Sequence, residues 1–306
     1  MAQRKPATAV DDSTSSGMSF GPVHVIHPRT EHNYTAIVLH GRGSSGKEFA
    51  EEFLASTLSS GQSLPEKLPE WRWVFPTSPE LWSTAFQEEL PAWFEAHSLS
   101  DITARQELQV DGIRESVWYI LDVLRNEIEK LHGESEKVVL GGISQGGAVG
   151  LWTLLCQAEP TGGILGGFFG ASTWLPFASN VERVLASKRI SAQGEELVTE
   201  SHEFDSFVET MMESMMNRYV GSGSRHFTPV FLGHGVDDAY VEIELGRQAA
   251  RVLRQFGLSV EWREYSGAEE EGHWFKVPNE IDDIYGFLNR LQSLAEDVEG
   301  EGEGAG

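Results

Sequence analysis

Cysteine is almost missing from this 306-residue chain. Cys156 stands alone, so no disulfide can form within the chain and nothing in it calls for an oxidising compartment. Basic residues are scarce as well: 23 Lys and Arg stand against 47 Asp and Glu, a formal charge of −24. Phosphate backbones are bound by Lys and Arg, so nucleic acid is excluded as a partner. Adsorption to an anionic membrane surface by charge alone is disfavoured for the same reason. Long hydrophobic runs are absent too. The longest stretch without charge, from Pro160 to Asn180, is interrupted by glycines and has Pro160 and Pro176 near its ends. A transmembrane helix needs about 20 predominantly apolar residues, so a buried strand followed by a loop is expected there instead. Met1 to Ser19 holds no apolar signal core, and Met1-Ala2 lacks the glycine that myristoylation requires. A cytoplasmic protein is the expectation.

Apolar residues are nonetheless plentiful. Hydrophobic types make up 40% of the chain, with nine Trp and sixteen Phe, enough for a sizeable core. The organisation expected is a disordered tail over residues 1–20, a single domain over 21–295, and a disordered acidic, glycine-rich tail over 296–306. Cys156 lies in the apolar run Leu151 to Cys156 and reads as a buried, inert thiol.

Strand and helix patterns alternate along the domain. Val23 to His27 reads as an edge strand, Tyr34 to His40 as a stronger one, and Trp71 to Phe75 as a short one stopped by Pro76 and Pro79. A helix is expected from about Lys47 to Leu58, and residues 80–110 read as loop. Ile113, Val117, Ile120, Leu121, Leu124, Ile128 and Leu131 recur at spacings of three and four, the clearest helix in the chain. Strands are expected at Lys137 to Leu140, Ile164 to Phe169, Val230 to Leu232 and Ser259 to Tyr265. Helices are expected over Gln145 to Gln157, Ile243 to Phe256 and Ile281 to Leu294. An acidic insertion over about 179–225 carries Phe204, Phe207, Met211, Met212, Met215 and Met216 near helical spacing, read as a helix packing one face onto the body. Such alternation predicts an α/β fold with a mostly parallel central sheet and helices on both faces, whose sites gather at the C-terminal ends of the strands.

One strand end stands out. Gly142-Ile143-Ser144-Gln145-Gly146 fits G-x-S-x-G, the sharp strand-to-helix turn that exposes a serine and sets the first helical N–H groups beside it. A rival motif lies at Gly41-Arg42-Gly43-Ser44-Ser45-Gly46-Lys47, which fits the first seven positions of the phosphate-binding G-x-x-x-x-G-K-[ST]. The next residue is Glu48, where a hydroxyl would have to face Mg²⁺ and where a carboxylate would repel phosphates. The same loop can instead supply the second oxyanion donor of a hydrolase, so the backbone N–H groups of Arg42 and Gln145 are expected to form the oxyanion hole.

A serine needs a base, and the base an acid that fixes its tautomer. In this fold the order is Ser, then Asp or Glu, then His. Asp237 and Asp238 follow the strand ending at Gly233-His234-Gly235, and His273 follows the loop after Tyr265. His40 and His234 each precede a glycine at a strand end, where a ring more often braces its loop. His97, His132, His202 and His226 lie in polar segments before Asp238. No histidine pair has the spacing of a zinc site such as H-E-x-x-H, and neither metal nor cofactor is expected.

The chain resembles the acyl-protein thioesterase and carboxylesterase family of α/β-hydrolases. The matching stretches are Leu39-His40-Gly41-x-Gly43, Pro91-Ala92-Trp93-Phe94, Gly141-Gly142-Ile143-Ser144-Gln145-Gly146-Gly147, Trp174-Leu175-Pro176, His234-Gly235-x-x-Asp238-x-x-Val241, and Tyr265-x-Gly267 leading to His273. The resemblance implies an α/β-hydrolase fold. It selects Asp238 over Asp237 as the acid, and sets Trp174 and Leu175 near the substrate pocket. The chain departs from the family pattern at Ala239, where a proline is common, at Arg42-Gly43-Ser44-Ser45, in the longer stretch from Trp174 to His234, and in the acidic Glu269-Glu270-Glu271. The function implied is hydrolysis of an acyl ester or thioester through an acyl-enzyme on Ser144, with Asp238 and His273, the substrate being a small ester or a lipidated protein. The alternative is an inactive hydrolase-fold protein serving as a binding or scaffold module.

Overall fold

Six consecutive residues, Tyr34 to Leu39, are all buried, as a strand covered on both faces must be. They lie at the heart of the sheet in the computed structural model, which describes residues 18–98, 101–156, 164–192, 202–221 and 228–303. In chain order its elements are β1 (Gly21–Ile26), β2 (Tyr34–Leu39), α1 (Gly46–Ala55), the single turn α2 (Leu64–Lys67), β3 (Trp71–Thr77), β4 (Glu80–Ser83) and β5 (Glu88–Pro91). There follow α3 (Gln109–Lys130), β6 (Val138–Ile143), α4 (Ser144–Cys156), β7 (Gly167–Ala171), α5 (Ala178–Ala192) and α6 (Asp205–Gly221). The chain continues with β8 (Val230–Gly235), α7 (Ile243–Gln255), β9 (Val260–Tyr265) and α8 (Asn279–Glu303).

Seven strands form one sheet in the order β1-β3-β2-β6-β7-β8-β9. Only β1 runs antiparallel, at the edge, where its weak alternation belongs. One face carries α1 and α8, whose Phe49, Phe53, Ile281, Ile284 and Phe287 pack against Phe75, Phe169 and Phe231. The other carries α3, α4 and α7, with Ile113, Val117, Ile120, Leu124, Trp152 and Leu253 in its core. The register pairs Leu39 with Gly142, Ile143 with Ala171, Ala171 with Gly233, and Gly235 with Tyr265. The C-terminal ends of β2, β6, β8 and β9 therefore open on the same edge of the sheet.

Several elements differ from the sequence reading. Residues 80–91 form the two-stranded ribbon β4–β5 rather than loop. Strand β3 runs through Pro76 to Thr77, beyond its last pairing with β2 at Val74, and Thr77 pairs with Gly21 of β1. Strand β7 starts three residues later than Ile164, at Gly167, because Gly166 lies against the chain before β6: a Cβ there would sit 2.1 Å from the Glu136 carbonyl oxygen. The insertion contributes two helices, of which only α6 was expected. Its Phe207, Val208 and Met212 are buried, and Asp205 ties it to α5 by accepting hydrogen bonds from Asn180 (2.8 Å) and Arg183 (3.0 Å). Helix α8 carries on to Glu303, into the segment expected to be disordered. Residues 1–17, 193–201 and 222–227, which fall within the expected N-terminal tail and the insertion, lie outside the described residues. Among the described residues no helix is long and apolar enough to cross a membrane.

Candidate active site

Strand β6 gives way to α4 at Ser144 without an intervening loop, and the turn is made by a φ of 53° at Ser144 itself. L-residues rarely adopt that left-handed conformation, and it costs of the order of 1–3 kcal/mol. The glycines around it answer to space. A Cβ on Gly146 would lie 2.4 Å from the backbone oxygens of both Leu39 and His40, and one on Gly142 would lie 2.8 Å from the Gly146 carbonyl carbon. Helix α4 is thus pressed against the end of β2. Behind the turn, the Thr173 hydroxyl donates to the Ser144 carbonyl at 2.8 Å.

The loop after β2 passes directly beside the serine. Its position at Gly41 is so close that a Cβ there would be 3.4 Å from Ser144 Cβ. Two bonds pin it: Gly43 N–H donates to the Pro91 carbonyl (2.8 Å) and the Trp93 indole N–H to the His40 carbonyl (2.9 Å). Arg42 sends its guanidinium away from the serine, to the Ala96 carbonyl (3.1 Å) and over the Phe86 ring (4.9 Å), and burial lowers its pKa. Gln145, immediately after Ser144, is 1% exposed. Its carboxamide accepts from Trp93 N–H (2.9 Å) and donates to the Phe94 carbonyl (2.7 Å), locking the Pro91–Phe94 segment to the turn. Arg42 and Gln145, whose N–H groups are the expected oxyanion donors, belong to the two chain segments that Gly146 holds together. In the rival motif, Ser45 caps α1 by accepting from Glu48 N–H (3.2 Å), and Lys47 faces Glu51 at 3.8 Å.

His40 is a brace. Its Nδ1 is 2.7 Å from the Gly41 carbonyl and its Nε2 accepts from Ser78 N–H at 3.0 Å, which puts the proton on Nδ1. Burial pushes its pKa down to about 4, and the ring is neutral.

At the ends of β8 and β9 the aspartate pair is resolved by geometry. Asp237 accepts from Gly267 N–H at 2.8 Å, across the surface. Asp238 turns inward, its side chain wholly buried, and its Oδ2 accepts from His273 Nδ1 at 2.8 Å. Its Oδ1 accepts from the backbone N–H groups of Tyr240 and Val241, both at 2.9 Å. A further imidazole, His234, stands 3.4 Å from Oδ2 through Nε2, the same nitrogen that is 2.9 Å from the Val241 carbonyl. Burial alone would raise the Asp238 pKa, yet the hydrogen bonds from His234 and His273 outweigh it and hold the carboxyl well below the usual range. His273 thus has one nitrogen fixed as a donor and keeps Nε2 free to accept a proton. Its approach is set by Gly272, whose φ of 86° lets the chain pass against the Asp237 carbonyl, and the Tyr240 ring meets the imidazole edge-on at 5.4 Å.

Ser144 and His273 open into one cleft of about 750 Å³, shared with Gly41, Arg42, Tyr240 and Trp274. Among the described residues the Ser144 hydroxyl makes no hydrogen bond, His273 included; such contacts are often loose before substrate arrives. The structure therefore brings together Ser144, His273 and Arg42 at the cleft, with Asp238 behind the imidazole and Gln145 beneath the serine. Trp174 and Leu175 are elsewhere: they are 2% and 1% exposed, in the core, Trp174 against Phe94, and neither lines this cleft. The sequence reading missed His234 as a second neighbour of Asp238, Thr173 as the anchor of the turn, and Glu48 and Glu52 as cleft walls. The last two sit one helical turn apart on α1, a spacing that was visible in the sequence. Among the described residues no group of three or more His, Cys, Asp or Glu could hold a metal ion.

The family model described as phospholipase/carboxylesterase matches residues 21–215. The acyl-protein thioesterase 1 of Gibberella zeae is 29% identical over 266 residues, 85% of this chain and 92% of that protein. The acyl-protein thioesterase 1 of Schizosaccharomyces pombe is 29% identical over 197 residues, 64% of this chain and 79% of its own. The crystal structure of Zea mays acyl-protein thioesterase 2 superposes with a TM-score of 0.61 at 26% identity, over 89% of this chain and 99% of that one. That of Arabidopsis thaliana SOBER1, at 23% identity and a TM-score of 0.57, bears on the fold alone.

Proposed function

The chain belongs to the phospholipase/carboxylesterase family of α/β-hydrolases and is a serine hydrolase of esters or thioesters, and we propose that Ser144, His273 and Asp238 are its catalytic triad. The single observation that carries this reading is the 2.8 Å bond from His273 Nδ1 to a wholly buried Asp238, on an imidazole that shares one cleft with Ser144. Ser144 Oγ attacks the acyl carbonyl while His273 Nε2 takes its proton, and Asp238 stabilises the imidazolium. The oxyanion forms against the backbone N–H groups of Arg42 and Gln145. The imidazolium then protonates the departing alcohol or thiol, leaving an ester on Ser144. Water, deprotonated by the same nitrogen, attacks that ester and releases the carboxylic acid. These groups and water complete the cycle without a metal or cofactor.

The substrates in this proposal are acyl esters and thioesters, soluble ones and those of lipidated proteins, in keeping with the acyl-protein thioesterases to which the chain is similar. A cytoplasmic location belongs to the same proposal. Two experiments test it. Ser144→Ala removes both turnover and labelling by a fluorophosphonate probe; labelling that survives in the variant refutes the nucleophile. Comparing short-chain with long-chain thioesters then reads how far the cleft accepts an acyl chain.

A further inference from the structure

Four carboxylates wall the cleft above Ser144. Glu48 and Glu52 rise from α1, and Glu270 and Glu271 come from the loop that leads to His273. Among the described residues none of the four is paired with a Lys or Arg; Lys47, the basic residue of α1, faces Glu51 instead. Among the described residues the cation of the cleft wall is Arg42, and it is turned onto the Ala96 carbonyl and the Phe86 ring. The strain of this arrangement is legible at Glu52, whose carboxyl is raised by partial burial and then by the charges of Glu270, Glu48 and Glu51. An independent observation identifies the walled space as a ligand position. Ser144 is 7% exposed, and its unpartnered hydroxyl lines that same space.

Like charges gathered without counter-ions raise the energy of the empty cleft, and a cation entering it relieves that repulsion. A fatty acyl chain could not lie along the same wall without stripping water from carboxylates, which is costly. The acidic wall therefore faces the part of the substrate that leaves.

We propose that Glu48, Glu52, Glu270 and Glu271 make the enzyme selective for esters and thioesters whose leaving group carries positive charge. Two sources share that chemistry: a small ammonium alcohol or thiol, and a peptide with Lys or Arg beside its acylated residue. The inference rests on the proposed role of Ser144 and His273. Selectivity of this kind acts on encounter and binding, so it appears in kcat/KM and weakens with salt.

The test uses the full chain and three S-butyryl thioesters, of thiocholine (cationic), mercaptoethanol (neutral) and mercaptopropionate (anionic), with butyrylated cysteine peptides flanked by Lys or by Glu as a second arm. At low ionic strength kcat/KM is expected to fall about tenfold from the cationic to the anionic thioester, as a few unit charges at cleft distances imply. The ratio shrinks towards unity at about 0.5 M salt, where the screening length is only a few ångströms. It shrinks likewise in the double variant Glu52→Gln/Glu270→Gln and inverts in Glu52→Lys/Glu270→Lys. Taking the ratio cancels any general loss of activity in a variant. Equal kcat/KM for all three thioesters at low salt overturns the proposal, as does a preference that survives the double substitution. A preference in the thiocholine arm alone assigns the site to small ammonium substrates, and one that is larger in the peptide arm assigns it to basic peptides. Failure of the underlying triad looks different: the neutral thioester is then turned over equally by the wild type and Ser144→Ala.

Discussion

Replacing Asp238 by asparagine exchanges one carboxylate oxygen for an NH₂ group at nearly constant volume, and its effect can be worked from the hydrogen bonds alone. The carboxylate meets four donors: Tyr240 N–H and Val241 N–H on Oδ1, and His273 Nδ1 and His234 Nε2 on Oδ2. An amide offers one oxygen and one NH₂ group, so one side must face donors with donors. Backbone N–H groups cannot release their protons, and leaving both unsatisfied in a buried site costs roughly 1–3 kcal/mol each. Imidazoles can move theirs. The amide therefore turns its NH₂ group towards His273, which shifts its proton to Nε2 and presents a donor to Ser144 where a base is needed. The wrong tautomer at this position of a serine protease triad lowers kcat by about 10⁴, or roughly 5–6 kcal/mol in the barrier at about 1.4 kcal/mol per tenfold. Steady-state kcat on a neutral thioester measures it, with a thermal melt to show that the variant is folded. A folded Asp238→Asn variant that keeps more than a tenth of the wild-type kcat would refute the reasoning.

Three further outcomes follow from the same geometry. Gly146→Ala drives a Cβ to 2.4 Å from the Leu39 and His40 carbonyl oxygens, both backbone; overpacking of this kind costs about 1–3 kcal/mol or more, visible as a lower midpoint in denaturant together with lost activity. His40 is neutral in the folded chain because burial lowers its pKa from 6.5 to about 4. The unfolded chain binds that proton first, so stability falls by up to about 1.4 kcal/mol per unit as pH drops between those values, and urea titrations at several pH values check the slope. Glu280 has the opposite sign: burial raises its carboxyl from 4.5 to about 8, Lys276 N–H donates to Oε2 at 2.9 Å, and Oε1 has no partner among the described residues. The unfolded chain loses that proton first, so Glu280→Gln should raise the melting temperature increasingly between pH 5 and pH 8 and do nothing at pH 4, whereas a pH-independent difference would contradict the burial argument.

Much of the site could be read from residue order because each part marks a strand end. The two glycines before Ser144, the His-Gly pairs at positions 40 and 234, and the loop after Tyr265 all fall where parallel strands finish. Position relative to a strand end left Asp237 and Asp238 equal, and only the resemblance carried by His234-Gly235-x-x-Asp238 chose between them; in the structure one accepts from a surface amide and the other from two imidazoles. What escaped depends on geometry that no pattern records. The ribbon β4–β5 is short and rich in Glu, without alternation, because a two-stranded ribbon on the surface has little core to face. Trp174 illustrates the converse: the family resemblance set it near the substrate pocket, but the side chain is buried against Phe94 and does not line the cleft of Ser144.

The left-handed φ at Ser144 has a further meaning for the molecule's history and handling. Glycine or asparagine tolerates that conformation better than serine does, so the fold on its own has no reason to keep a hydroxyl there. Replacing the proposed nucleophile by either of these is then a stabilising change. On that proposal, a lineage released from selection for hydrolysis would drift towards a sturdier, silent protein, the serine marking a position where chemistry is retained at the expense of robustness.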